Sequence, residues 1–437
     1  MVELDLINNL NRSNKFLFLD GYGIDIRVDD GKLIVRDGNG LRQTYFPKRF
    51  PFSSVIIYGT RGSISFEAIR WMIKHNTQIS FINWNGKLLT SILPQEAKQT
   101  KLKFKQYEAY KSQKRIEIAK KLIEVKIERT KEILTWLKER YPKINERIEK
   151  ESKRLNDTKT IQEILMVEGR VAEIYWKELS GIFPKSFNFA TRQYTNRPFG
   201  AVDPINALFN YGYALLEAEC RRAINSVGLD THVGFLHEVT LGKEPLVYDL
   251  QEPFRWLIDV AIINALEKKM FDKKDFIRTE NYNVKLRPNG AKKLVKEVET
   301  WFNKTTDYLG RKYSWSYIVL LKTRELAQYL LNKRMDINFS TPSTKLTRTD
   351  NHEIKSDLMV RKTKRRAVRS LVTGKVIYYT GTKTVGLRSP LTGKIEKRIS
   401  KEEAEKRGMA RRTWTVWDES EKITKRMKKK KSPLDFV

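Results

Sequence analysis

The stretch Lys101–Arg140 contains neither glycine nor proline, and it limits the fold more than any other part of the chain. Its apolar residues Ile116, Ala119, Ile123, Ile127, Ile133 or Leu134, and Leu137 recur at helical intervals among lysines and glutamates. That is the period of one long amphipathic helix or of a hairpin of two. The residues before it have the opposite texture. Short β-branched or aromatic runs (Phe16–Leu19, Ile24–Val28, Lys32–Val35, Thr44–Phe46, Val55–Tyr58) are broken by the turn dipeptides Asp20-Gly21, Asp30-Gly31 and Asp37-Gly38. Ser65–His75 has helical spacing, and Gln78–Asn83, Asn85-Gly86 and Leu88–Leu93 read as a hairpin closed by Pro94. Further helical segments are expected at Ile161–Leu179, Pro204–Val227, Pro253–Met270, Ala291–Phe302 and Ser316–Asn332. The expected fold is α+β and multidomain: a small N-terminal β-rich domain over 1–94 and a large, mainly α-helical domain over 95–340.

Beyond Phe339 the composition changes again. Residues 341–437 hold 27 Lys and Arg against 11 Asp and Glu, so +16 of the net charge of +33 lies there. The part 341–398 reads as a basic linker or small β-element, with a short repeat at Leu371–Val376 and Leu391–Ile395. The part 399–437 has the form of a helix-turn-helix. Ser400 and Glu403 make a capping box, Gly408 supplies the turn and Met409 plugs the core. Arg411, Arg412 and Thr413 open a second helix that would present arginines to a DNA major groove. Ala410 departs from the capping residue usual before such a helix.

A charge of +33 draws polyanions, nucleic acid first and anionic membrane second. One cysteine, Cys220, excludes a disulfide framework and cysteine-based zinc sites. No apolar run reaches the length of a membrane span, and the start, Met-Val-Glu-Leu-Asp, does not read as a signal peptide. A soluble, cytoplasmic protein is expected.

Side chains suited to a metal gather between residues 160 and 260. Glu168 lies in an apolar helical stretch, His237 follows a turn, and Asp249 and Glu252 lead into an apolar helix. Carboxylates with one imidazole suit Mn²⁺ or Mg²⁺. Such a site can polarise a phosphodiester and activate a water or a DNA 3′-hydroxyl. Each residue also has a plain structural reading. Asp249 and Glu252 fit a capping box, Glu168 can pair with Arg170, and His237 can be a buried histidine on a backbone carbonyl. Arg255 can hold a DNA phosphate or pair with Asp259 one turn on.

The order of motifs adds to this. Glu168-Gly-Arg170 is followed by Asp203-Pro-Ile-Asn-Ala-Leu-Phe-Asn-Tyr-Gly-Tyr213. Then come Gly228-Leu-Asp230, Gly234-Phe-Leu-His-Glu238 and Tyr248-Asp-Leu-Gln-Glu-Pro-Phe-Arg255. Over about 16–335 this resembles the CRISPR-associated spacer-integrase endonuclease family. The resemblance implies that Glu168, His237 and Glu252 are the catalytic metal ligands for Mn²⁺ or Mg²⁺. The third is Glu where the family often has Asp. It implies further that Asp249 is an accessory acidic residue and that Asn206, Asn210 and Tyr211 shape the site. It also implies homodimerisation through the β-rich domain, double-stranded DNA as donor and target, and a small companion subunit in CRISPR adaptation. With a C-terminal helix-turn-helix the chain looks like a casposase, the integrase of a self-synthesising transposon. The implied reaction joins a DNA 3′-hydroxyl to a target phosphodiester. Competing readings are a non-catalytic DNA-binding protein using the basic surface and tail, and an RNA-processing nuclease.

Overall fold

The computed structural model describes residues 15–38, 40–83, 86–94, 97, 99–145, 148–192, 200–280, 283–342, 346, 365–370, 376–380, 384–388, 395–400 and 409–410. Of Lys48, Thr60 and the segments from 365 onward it describes the backbone alone. The chain divides into two compact units, Met1–Thr349 and Asp350–Val437.

The first unit opens with a six-stranded sheet in the order β3-β2-β1-β4-β5-β6. Strand β1 (Lys15–Asp29) turns antiparallel into β2 (Lys32–Arg36), which pairs with β3 (Arg42–Tyr45). The β1–β2 connection is Asp30-Gly31, both at positive φ (48° and 69°), as a two-residue hairpin loop requires. Asp20-Gly21 is not a turn. Strand β1 runs through it, and register shifts against the parallel β4 (Phe52–Ile64) accommodate the irregularity. Helix α1 (Phe66–Lys74) carries the chain from β4 to the parallel β5 (Gln78–Ile82), and β6 (Leu88–Ile92) returns antiparallel. Ser65 caps α1 by accepting from Ala68 N. Alternation along the strands gives the sheet two apolar faces. Leu17, Leu19, Val55 and Ile57 pack under α1 with Trp71 and Met72, whereas Phe18, Ile56 and Ile82 join the core of the helices.

Those helices are α2 (Thr100–Tyr110), α3 (Lys114–Lys138), α4 (Glu149–Asp157), α5 (Ile161–Ser180), α6 (Pro204–Val227), α7 (Pro245–Gln251), α8 (Arg255–Glu267), α9 (Pro288–Asn303) and α10 (Trp315–Leu330). The Gly/Pro-free stretch is therefore two helices. The hairpins β7 (Phe276–Arg278)–β8 (Val284–Leu286) and β9 (Thr305–Tyr308)–β10 (Arg311–Ser314) interrupt the helical order. The helix expected from Pro253 starts at Arg255 instead, because Glu252–Phe254 forms a separate 3₁₀ turn after α7. Trp256 to Leu266 are all buried, so α8 is the apolar axis of this region.

In the second unit five strands pair in the order β14-β13-β12-β11-β15: β11 (Arg365–Ser370), β12 (Val376–Thr380), β13 (Thr384–Arg388), β14 (Ile395–Ser400) and β15 (Met409–Ala410). The expected helix-turn-helix falls mostly on 401–408 and 411–437, outside the described residues, as do Arg411, Arg412 and Thr413. Its Ser400 ends β14, and its Met409 pairs with Ser370. Among the described residues no helix is long and apolar enough to cross a membrane.

Candidate active site

Six elements converge on one small basin: α3 brings Lys126, α5 brings Glu168, the loop before α7 brings His237, α7 brings Asp249, the 3₁₀ turn brings Glu252 and α8 brings Arg255. Asp249 is wholly buried and organises the loop. Its Oδ2 accepts from the backbone N–H of Phe235 and, at 3.0 Å, of Leu236. Its Oδ1 accepts from His237 N at 3.0 Å and meets His237 Nδ1 at 2.7 Å. The loop can come this close because residue 234 is glycine, where a Cβ would stand 2.7 Å from Asp249 Oδ2. With Nδ1 engaged, Nε2 is the imidazole nitrogen left to a ligand. Burial works against a charged His237, yet the bond to Asp249 and the charges of Asp249 and Glu252 raise its pKa overall.

Glu252 forms the floor. Its side chain is 3% exposed, against 23% for Glu168 and 36% for His237, so the basin opens on the histidine side. Glu252 Oε1 accepts from Arg255 Nε at 3.0 Å, and Oε2 lies 2.6 Å from Lys126 Nζ. Burial alone would protonate this carboxyl. The charges of Arg255, Lys126 and His237 outweigh it and hold Glu252 well below the usual carboxylate range. Lys126 Nζ also pairs with Glu168 Oε1, so one ammonium bridges the two carboxylates.

These contacts decide between the earlier structural readings. Arg170 pairs with Glu151, not Glu168. Asp249 and Glu252 make no capping box, since α8 has Phe254 at its N-cap and no side-chain cap. Asp259 accepts from Tyr213 Oη at 2.6 Å and Tyr175 Oη at 2.9 Å, while Arg255 pairs with Glu252 and lies over the Tyr213 ring.

Asn206 and Asn210 stand beside this group. Their side-chain oxygens each accept from Arg192 at 2.7 Å, and the Arg192 guanidinium lies over Trp176, Phe209 and Tyr213. Tyr211 packs elsewhere, edge-on to Tyr58 of the sheet with centroids 5.4 Å apart.

Two carboxylates facing each other across a cation, with an oriented imidazole nearby, have the donor chemistry of a divalent-metal site. Among the described residues no three acidic, histidine or cysteine side chains are gathered closely enough to hold an ion as they stand. The ammonium of Lys126 lies between the two carboxylates.

The sequence pattern of the family described as CRISPR associated protein Cas1 matches residues 17–300, more than half of the chain. The chain belongs to the Cas1 family. The CRISPR-associated endonuclease Cas1 1 of Archaeoglobus fulgidus is 28% identical over 339 residues, covering 73% of this chain and 97% of that protein. A solved casposase bound to integration product is 47% identical with a TM-score of 0.74, covering 78% of this chain and 97% of that one. A Cas1 protein from Thermotoga maritima shares the fold at 19% identity and a TM-score of 0.62, covering 75% and 100%. The N-terminal sheet followed by helices is thus the Cas1 architecture.

Sequence reasoning missed Lys126 and Arg192. Lys126 carried a readable signal: it lies three residues after Ile123, four after Leu122 and seven before Ile133, on the apolar stripe of a helix where a lysine needs a partner. Arg192 precedes a signature helix whose own residues gave no hint of it.

Proposed function

We propose that this Cas1-family protein is a divalent-metal-dependent DNA integrase and endonuclease that joins a DNA 3′-hydroxyl to a target phosphodiester. The observation that carries the reading is the pair Glu168 and Glu252 facing each other across a cation, with His237 held by Asp249 and near enough for its charge to act on Glu252. Glu168, Glu252 and His237 Nε2 would hold Mn²⁺ or Mg²⁺. The bound ion would polarise the phosphodiester and lower the charge cost of in-line attack.

The chain's own groups do the rest. Glu252 stays ionised at any physiological pH because Arg255 and Lys126 flank it. Asp249 fixes the imidazole tautomer and ring plane. Arg255, stacked on Tyr213 and bonded to Glu252, would meet a phosphate oxygen at the basin's edge. The nucleophile is the DNA hydroxyl, so the site needs no nucleophilic side chain.

The reading extends to double-stranded DNA as donor and target, a homodimer built through the sheet, and a basic C-terminal tail selecting the donor end with Arg411, Arg412 and Thr413. The likeness to a casposase bound to integration product favours transposon integration over CRISPR adaptation with a small companion subunit. The test mixes a labelled duplex bearing a free 3′-hydroxyl with supercoiled plasmid. Label is expected to enter the plasmid with Mn²⁺, and not with EDTA or with Glu168→Ala. Gel shifts without joining or nicking in either metal would instead make the protein a DNA binder.

A further inference from the structure

Lys126 is the least expected member of the basin. Its side chain is 14% exposed, and its ammonium contacts Glu168 Oε1 and Glu252 Oε2 together. These are the two oxygens on which a divalent ion would bind, and they cannot serve both cations at once. Lys126 spans two carboxylates, from α5 and from the 3₁₀ turn, that would otherwise repel each other across a partly buried space. Its four-carbon stem lets the head swing aside without moving α3, as an arginine's rigid fork would not.

We propose that Lys126 is the exchangeable cation of this site. It neutralises Glu168 and Glu252 before metal arrives, and a divalent ion enters by displacing its ammonium. The freed ammonium then pairs with the phosphodiester. Metal and DNA binding are thereby coupled, each tightening the other. This rests on the reading of the basin as a divalent-metal site.

The experiment is calorimetric titration of Mn²⁺ into the full-length protein, alone and with a duplex whose 3′ ends are dideoxy, so that no joining can occur. The variants are Lys126→Met, Lys126→Arg and, to locate the signal, Glu168→Ala. Without DNA, Lys126→Met is expected to bind Mn²⁺ about tenfold more tightly than wild type, because no resident charge opposes the ion. DNA should tighten Mn²⁺ binding by wild type and do so less in Lys126→Met. Lys126→Arg should bind Mn²⁺ more weakly than wild type, and it keeps the test open if the methionine variant does not fold. Equal Mn²⁺ affinity in wild type and the folded variants would make Lys126 a structural ion pair and overturn the proposal alone. If no Mn²⁺ uptake in wild type or Lys126→Met depends on Glu168, the metal reading fails and the proposal with it.

Discussion

Glu252 and Asp259 are both buried, lie seven residues apart, and face opposite electrostatic outcomes. Glu252 sits among Arg255, Lys126 and His237, and stays ionised despite burial. Asp259 is held by the hydroxyls of Tyr175 and Tyr213, and burial pushes its pKa up to about 6 even though both bonds and the charges of Arg255 and Lys126 pull it down. At Asp259 the pulls toward ionisation do not offset desolvation, whereas at Glu252 the charges of Arg255, Lys126 and His237 do. The same stretch of chain therefore presents one carboxylate kept ready for a cation and another that supports the packing behind it.

Exchanging their charges one at a time should separate them. Glu252→Gln is expected to lower strand transfer by at least about 10²-fold, whereas Asp259→Asn should lower it less than about tenfold, measured as plasmid-joined label. Comparable losses would erase the distinction. Asp249→Ala removes the acceptor for three backbone N–H groups and for His237. It should weaken Mn²⁺ binding about 10–100-fold by calorimetry, without the complete loss expected of Glu252.

The third test uses pH. An acid whose pKa is raised in the fold adds stability while protonated, fully so below the unfolded value of 3.8, and that contribution is lost as pH rises through about 6. Wild type should therefore lose roughly 2–3 kcal/mol from this group between pH 4 and pH 7. Asp259→Asn should flatten that part of the stability curve in denaturant titrations, and an unchanged curve would show that Asp259 is not the group responsible. The smallest effect is expected from Tyr213→Phe, about 1 kcal/mol of stability for one lost hydrogen bond, with a further rise in the Asp259 pKa.

Much of the fold is legible from local pattern. The helices at 161–180 and 204–227 follow from apolar spacing, and in the structure Thr160 and Asp203 cap them by accepting backbone N–H groups. The Asp30-Gly31 turn follows from its dipeptide. Asp20-Gly21 misled because a bulge inside a paired strand and a free turn use the same residues. Partnership across the sheet, with β4 alongside β1, decides which one forms. The 3₁₀ turn at Glu252–Phe254 was hidden in the same way: Pro253 fits early in a helix or in a tight turn, and the contacts of Glu252 fix the second.

The sequence by itself determined which residues are candidates for the chemistry: the motif order, through the family it resembles, picks out Glu168, His237, Asp249 and Glu252, because donor type and chain order are written residue by residue. Only the tertiary structure decided what each one touches. Lys126 meets a carboxylate 42 residues away on another helix, and Asp249 serves as the clamp of the His237 loop through backbone N–H groups that any sequence would possess. Periodicity reports the face a side chain occupies; its partner across the basin is set by how the helices pack.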